Sequence, residues 1–439
     1  MPCSAPALWV LSASLLALAS PAAAEDEPQP LRFVIKDGHV EGADFWIYND
    51  IPRALDVARK ARKPLFVTFR CVPCKACASF DAEVAAGSEV VEELARKEFV
   101  AVRQVEMKGV DLTTFEFDYN LNWAAMFIHA DGTVYARYGT QSAAGPDAYN
   151  SIEGLEKTMR RVLALHRAYP KNRAELEGKR GPPKPWKTAL DMPGLENKEK
   201  LRGPTTRGSC IHCHNVHDAE QAHAQETGAF REDMLWRYPL PENIGLVLDP
   251  VEGIRVNEVI DGSPAAKAGL EPGEDLTHAN GQALASIADL QWVLHRLADD
   301  GAMLDVRGSR SGGRKLRLER GWKRTDISWR GSIWSLSPRL RVWAPEVEEN
   351  DRRKLGIADD RGAFQVRWIN TSQPGGRAAR DAGLRDGDVI TELAGKPIER
   401  ITTPQLNVRI KLAYDKGDEL PLTVLRDGKE REVRIRLVE

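Results

Sequence analysis

Ala268-Gly269-Leu270, Gly273 and Gly281 recur as Ala382-Gly383-Leu384, Gly387 and Gly395, each displaced by 114 positions. A fixed offset held across three landmarks marks an internal duplication. The C-terminal half is therefore expected to be two copies of one unit, at 241–322 and 346–439. A connector at 323–345 lies between them, its neighbourhood marked by Trp322, Trp329, Trp334 and Trp343. Each copy reads as opening on an apolar-Gly-apolar step, Ile244-Gly245-Leu246 and Leu355-Gly356-Ile357. Glycine there lets backbone N–H groups turn inward to receive a carboxylate, and the strand that follows can pair with an incoming peptide. With 439 residues and roughly 100–200 residues per domain, room remains for about one more domain upstream.

Ser263-Pro264-Ala265-Ala266-Lys267-Ala268-Gly269-Leu270 and Ala378-Ala379-Arg380-Asp381-Ala382-Gly383-Leu384 resemble PDZ domains of the bacterial protease-associated type. The resemblance implies recognition of protein or peptide C-termini. Such domains often flank serine proteases, yet the sequence holds no G-x-S-x-G or Gly-Asn-Ser-Gly-Gly segment.

The first 24 residues carry no charge, run apolar from Ala7 to Ala19, and end in Pro21-Ala22-Ala23-Ala24 before Glu25. This reads as a signal peptide at 1–24, shorter than the ~20 apolar residues of a membrane span. A periplasmic or secreted protein with no membrane span after cleavage is expected. Lys plus Arg number 62 against 64 Asp plus Glu, which argues against a nucleic-acid partner. Helical and strand signals alternate over 45–168: helix at 50–61, strand at 65–69, one helix over 75–97, and strands at 99–105, 124–128 and 133–138. A closing helix covers 152–166. This is a small α/β layer unit. The chain as a whole reads as multidomain α/β and β. Residues 169–240 are polar and linker-like, with Gly181-Pro182-Pro183 near their start.

The cysteines beyond the leader fall into two tight clusters, Cys71, Cys74, Cys77 and Cys210, Cys213, instead of being scattered as structural staples. Arg70-Cys71-Val72-Pro73-Cys74-Lys75-Ala76-Cys77 follows an apolar strand and opens a helix. There the helix dipole and orphan N–H groups lower a thiol pKa. The stretch resembles the thioredoxin superfamily in two registers. Cys71-Val72-Pro73-Cys74-Lys75 copies its Cys-Gly-Pro-Cys-Lys. The alternative pair, Cys74 and Cys77, keeps the family's strand-to-cysteine distance. The second register is preferred, with Cys74 attacking, Cys77 resolving and Lys75 lowering the Cys74 pKa. Thioredoxins also place a cis-proline where this chain reads Leu121-Asn122-Trp123-Ala124-Ala125-Met126, so the substrate loop is built differently here.

Cys210-Ile211-His212-Cys213-His214 is a C-x-x-C-H sequence, the attachment signature of c-type haem. Two thiols add to the vinyl groups and His214 would be the proximal metal ligand, with Met234, His217 or His223 as distal candidates. Zinc on Cys210, Cys213, His217 and His223 is the alternative, as is a second disulfide. His129, His166, His278 and His295 stand isolated.

The order of signal, thioredoxin-like unit, C-x-x-C-H segment and two PDZ-like units resembles a bacterial family of thioredoxin-like/PDZ proteins. Some members carry selenocysteine, whereas this chain has cysteine. The resemblance implies a redox-active disulfide acting on protein disulfide or thiol substrates. The competing expectation is a non-catalytic scaffold or redox sensor with structural cysteines. A separable PDZ half predicts that deleting 241–439 leaves reduction of a small disulfide nearly unchanged.

Overall fold

The structure, a computed structural model, describes residues 44–70, 78–206 and 208–439. The expected signal segment 1–24 and the triplet Cys71, Cys74 and Cys77 lie outside the described residues. No described helix is long and apolar enough to cross a membrane.

The α/β unit comprises β1 (Ile47–Tyr48), α1 (Ile51–Ala61), β2 (Leu65–Arg70), α2 (Ala78–Ala82), α3 (Glu89–Glu98) and β3 (Val100–Gln104). It continues through β4 (Trp123–Ile128), β5 (Val134–Tyr138) and α4 (Ile152–Ala168). The sheet order is β1-β3-β2-β4-β5, with β1, β3 and β2 parallel and β4 and β5 antiparallel. Asp50 starts α1 by accepting the Arg53 N–H, and Pro52 fills the first turn, where no N–H is needed. Every residue of β2 is buried. Leu65, Val67 and Phe69 face α1, while Phe66 faces the opposite core with Phe99 and Phe127, as period-two alternation in a doubly covered strand requires. The single helix expected over 75–97 is broken. After α2 the backbone widens into a π-turn at Glu83–Gly87, and Ser88 leaves helical geometry to cap α3 through the Val91 N–H.

Residues 169–240 carry α5 (Lys198–Leu201), α6 (His214–Glu226) and several single turns. Ala189, Met192, Leu195, Ile211, Val216 and Ala219 join the same core as Leu65 and Val67. The polar stretch is laid over one face of the sheet.

The first repeat holds β6 (Leu246–Leu248), β7 (Val256–Val259), α7 (Pro264–Lys267), β8 (Leu276–Ala279) and β9 (Gln282–Ala283). After α8 (Ile287–His295) it closes with β10 (Ala302–Gly308) and β11 (Gly312–Leu318). The second holds β12 (Val342–Trp343), α9 (Glu349–Lys354), β13 (Phe364–Gln365), β14 (Trp368–Ile369) and α10 (Pro374–Asp381). It continues with β15 (Val389–Leu393), β16 (Lys396–Pro397), α11 (Thr403–Ala413), β17 (Glu419–Arg426) and β18 (Lys429–Arg436). The landmark glycines explain the duplication signal: Gly269, Gly273 and Gly281, and their counterparts Gly383, Gly387 and Gly395, all have positive φ between 67° and 96°.

One sequence equivalence fails. Gly245 (φ 86°) leads into β6, and its carbonyl accepts the Ile260 N–H. In the second repeat the matching bond runs from Asn370 N–H to the carbonyl of Arg341 (φ 58°), which leads into β12. Leu355-Gly356-Ile357 instead ends α9. Gly356 donates to Arg353 and Ile357 to Arg352, the paired bonds of a left-handed helix stop. Leu340, Val342 and Ala344 belong to the second repeat's core, upstream of the expected boundary at 346.

The first repeat is welded to the α/β unit. Helix α8 is buried from Ile287 to Leu294 and lies along β5, an edge strand. Arg137 of β5 donates its N–H to Asp289 (3.1 Å), and its carbonyl accepts from Ser286 (2.5 Å). These side chains supply the partners a neighbouring strand would give. Lys179 and Asp289, each 1% exposed, pair at 2.7 Å. Burial keeps the Lys179 ammonium below the ordinary lysine range. The Arg137 guanidinium sits 3.7 Å from the Trp292 ring centre and donates to the Glu116 and Lys179 carbonyls.

Candidate functional site

Strand β2 ends at Arg70, one residue before the triplet, and α2 begins at Ala78, one residue after it. Asp81 of α2 ties the two ends together. Its carboxylate lies 2.6 Å from Arg70 and 2.5 Å from Arg103 of β3, and accepts the Trp123 indole N–H at 3.1 Å. All four side chains are buried. Such a cluster stands only while complete, because removing one partner leaves a charge in a medium that cannot solvate it. The clamp brackets the triplet and fixes the first residue of β4 to the same carboxylate. Trp123 falls in the stretch where thioredoxins have a cis-proline, and its indole holds β4 to α2. Sequence reading missed Asp81 and Arg103, since a charge inside an apolar pattern reads as a surface position.

Around the C-x-x-C-H stretch, Cys213 is the cap position of α6 and is half-buried, whereas Cys210 is 6% exposed. The Cys210 sulfur points at the Val105 carbonyl at 3.7 Å, and Met107 N–H donates to the Ile211 carbonyl at 3.0 Å. Lys108 reaches the Gly203 carbonyl and the Thr205 hydroxyl, both at 2.9 Å. The loop after β3 and the loop before Cys210 are thus sewn together. His214 pairs through Nδ1 with Asp218 (3.0 Å), which also accepts from Ser335 (2.6 Å). Burial lowers the His212 pKa, and His214 adds to that shift.

The structure does not bring the expected metal ligands together. His217 is enclosed by Asp118, Glu220 and the Tyr119 ring, His223 packs edge-on to Trp186, and Met234 lines a separate cleft. His217 and His223 are six residues apart on one helix, about 240° around it, so they face different ways. Among the described residues no three His, Cys, Asp or Glu side chains form a metal-holding group. The proposed zinc set therefore does not assemble. Haem c fits no better. A porphyrin needs both sulfurs and the imidazole on the rim of one slot. Here the Cys210 sulfur is turned into the core beside Ile211, and the His214 ring faces Gly331 of the connector.

Asp118 links this region to the connector. Burial alone would raise its carboxyl, but Arg330, 2.8 Å from both oxygens, and His217 hold it at about 2. The unfolded value is about 3.9. The ionised pair therefore stabilises fully above about pH 4 and loses its contribution, roughly 2–3 kcal/mol, as pH falls through 2. Acid unfolding followed by circular dichroism should give Arg330→Gln a higher midpoint than the parent. Equal midpoints would mean that the pair carries no linkage.

The second repeat presents a different face. Thr403 at the start of α11 donates to the Ala344 carbonyl at 3.2 Å, which ties the first turn of α11 to the end of β12, a strand paired only with β14 among the described residues. Trp343 and Trp368 stand opposite in register and are 49% and 57% exposed. The far side of α11 packs Val408 against Trp236, Ile327, Ile333 and Leu336.

A thioredoxin-like family profile matches residues 46–130, and PDZ domain profiles match 255–307 and 366–437. The chain is similar to the "Probable periplasmic serine endoprotease DegP-like" of Pseudomonas savastanoi pv. phaseolicola. Identity is 30% over 207 residues, 46% of this chain and 40% of that protein. The protein of the same name from Marinomonas sp. is 30% identical over 200 residues, 43% of this chain and 38% of the relative. The "Probable periplasmic serine protease do/HhoA-like" of Haemophilus influenzae is 31% identical over 99 residues, 22% of this chain and 19% of its own length. The chain spans about 40% of the length of the first two relatives. It carries a thioredoxin-like domain and two PDZ domains.

Proposed function

We propose that the protein is an exported thiol–disulfide oxidoreductase whose triplet exchanges disulfides with proteins recruited on the second PDZ domain. The Asp81 clamp is the observation that carries this reading. A thioredoxin-like sheet delivers the chain at Arg70 into three cysteines, and one buried carboxylate holds both flanks of that segment. In the preferred register the Cys74 thiolate attacks a substrate disulfide and the Cys77 thiolate resolves the mixed disulfide. The relatives' printed names support a periplasmic location.

Recruitment falls to the second PDZ domain because the helix of the first is covered by β5. An incoming peptide would add as a strand on β12, between it and α11. Insulin reduction by the full chain tests the chemistry. Cys74→Ser should fall to the background rate of the reductant. Undiminished turnover would replace this reading with the scaffold, in which the cysteines are structural.

A further inference from the structure

We infer that the second PDZ domain selects protein tails with an aromatic penultimate side chain and a carboxylate two positions before it, read by Trp343, Trp368 and Arg367. This rests on the recruitment reading above and names the class of partner recruited.

The backbone fixes which tail residue meets which side chain. The Arg341 carbonyl accepts from Asn370 and the Trp343 carbonyl from Arg367, so both turn towards β14. Adjacent residues of a strand bond to opposite sides, so Val342 turns its N–H and C=O to the other edge of β12. A tail seated with its carboxylate at the left-handed Arg341 turn runs antiparallel to β12, and its last residue bonds to Val342. The residue before it then stands opposite Trp343. This pairing edge is short, because the Thr403 hydroxyl already reaches the Ala344 carbonyl at 3.2 Å. Few backbone bonds are left to make, and side chains must supply the choice of partner.

Val342 and Ile369 pack into the core of the repeat, so period-two alternation sends Trp343 and Trp368 to the opposite face, where both are exposed. As register partners they form one row across the strands. A penultimate side chain opposite Trp343 extends that row at the strand spacing of ~4.8 Å. Neither indole is engaged with another ring among the described residues. An aromatic side chain there gains ring contact with an indole and covers apolar surface that now faces water. Arg367, beside Trp368, is exposed as well. Arg341 is paired with Glu439, whereas Arg367 touches no carboxylate among the described residues. Asp351 feels the Arg367 charge but bonds to Lys354 at 2.7 Å. Two residues before the aromatic one, the tail returns a side chain to this same face, and a carboxylate there meets the uncommitted guanidinium.

The test is fluorescence anisotropy of fluorescein-labelled peptides on the full mature chain. The parent peptide is a Gly-Ser stem ending in Asp-Thr-Trp-Val with a free carboxylate. Alanine in place of its tryptophan should weaken binding roughly tenfold. Trp343→Ala and Trp368→Ala should each remove most of that difference. Lysine in place of its aspartate should weaken binding to the parent protein, and Arg367→Glu should reverse that preference. Varying the peptide keeps the test independent of how any variant folds. Equal affinity for the tryptophan and alanine tails overturns the proposal and leaves recruitment standing. If no peptide of the set binds, recruitment falls with it, while insulin reduction still decides the thiol chemistry. Dimers in sedimentation that Trp343→Ala dissolves would assign this face to a second copy of the chain and overturn the proposal.

Discussion

Asp289→Ala should destabilise the protein by about 3–5 kcal/mol, the range for removing one partner of a buried ion pair. The carboxylate serves three donors at once: the Lys179 ammonium at 2.7 Å, the Arg137 N–H at 3.1 Å and the Ala285 N–H at 3.0 Å. Alanine leaves a buried ammonium without its counter-charge and opens the edge of β5. Typical domain stabilities are about 5–15 kcal/mol, so much of the margin would go. Urea unfolding should show the midpoint falling by fluorescence and circular dichroism together, because the thioredoxin-like and first PDZ domains share this pair. Lys179→Met with Asp289→Leu removes both charges and should recover most of the loss. A cost under about 1 kcal/mol for the single change would show that water reaches the pair.

Cutting the chain should separate the two PDZ domains by consequence. Removing 241–439 takes away α8, bares the apolar surface of the α/β unit that Ala285 covers, and leaves Lys179 without Asp289 and Arg137 without Trp292. That fragment should be found in the insoluble fraction or unfold at far lower urea. Ending the chain after Ser337 keeps α8, the Arg330–Asp118 pair and the Ser335–Asp218 bond, and removes the second PDZ domain. It should stay folded, reduce a small disulfide at the parental rate and lose selectivity for a protein partner. Full activity of the shorter fragment would refute the weld. The expectation of a wholly separable PDZ half thus gives way to one built-in domain and one appended domain.

The layers were legible where a local rule decides them. The apolar run that becomes β2, the helical periodicity of α1 and α4 and the glycines near 269 and 383 are all consequences of backbone geometry within a few residues. The placement of Leu355-Gly356-Ile357 failed because glycine serves two purposes. It can open a carboxylate loop or stop a helix, and here the loop position is held by Arg341 in a left-handed conformation. Asp81, Arg103, Lys179 and Asp289 could not be found by pattern. Their partners lie 22 and 110 positions apart, and nothing in either local segment distinguishes a buried charge from a surface one. The C-x-x-C-H spacing was visible, but not whether its sulfurs face a slot or a packed core. That is a property of Val105 and Met107, about a hundred residues earlier.

The sealing of β5 by α8 also sets an order of events when the chain is made. Helix α4 ends at Ala168, yet Ser286 and Asp289 come about 120 residues later. The chain emerges N-terminus first, so the sheet precedes the side chains that close its edge. Until they arrive, the Arg137 N–H and C=O of β5 are open to any extended strand nearby. The hazard of mispairing belongs to the incomplete chain, and its extent is written in the spacing between Ala168 and Ser286.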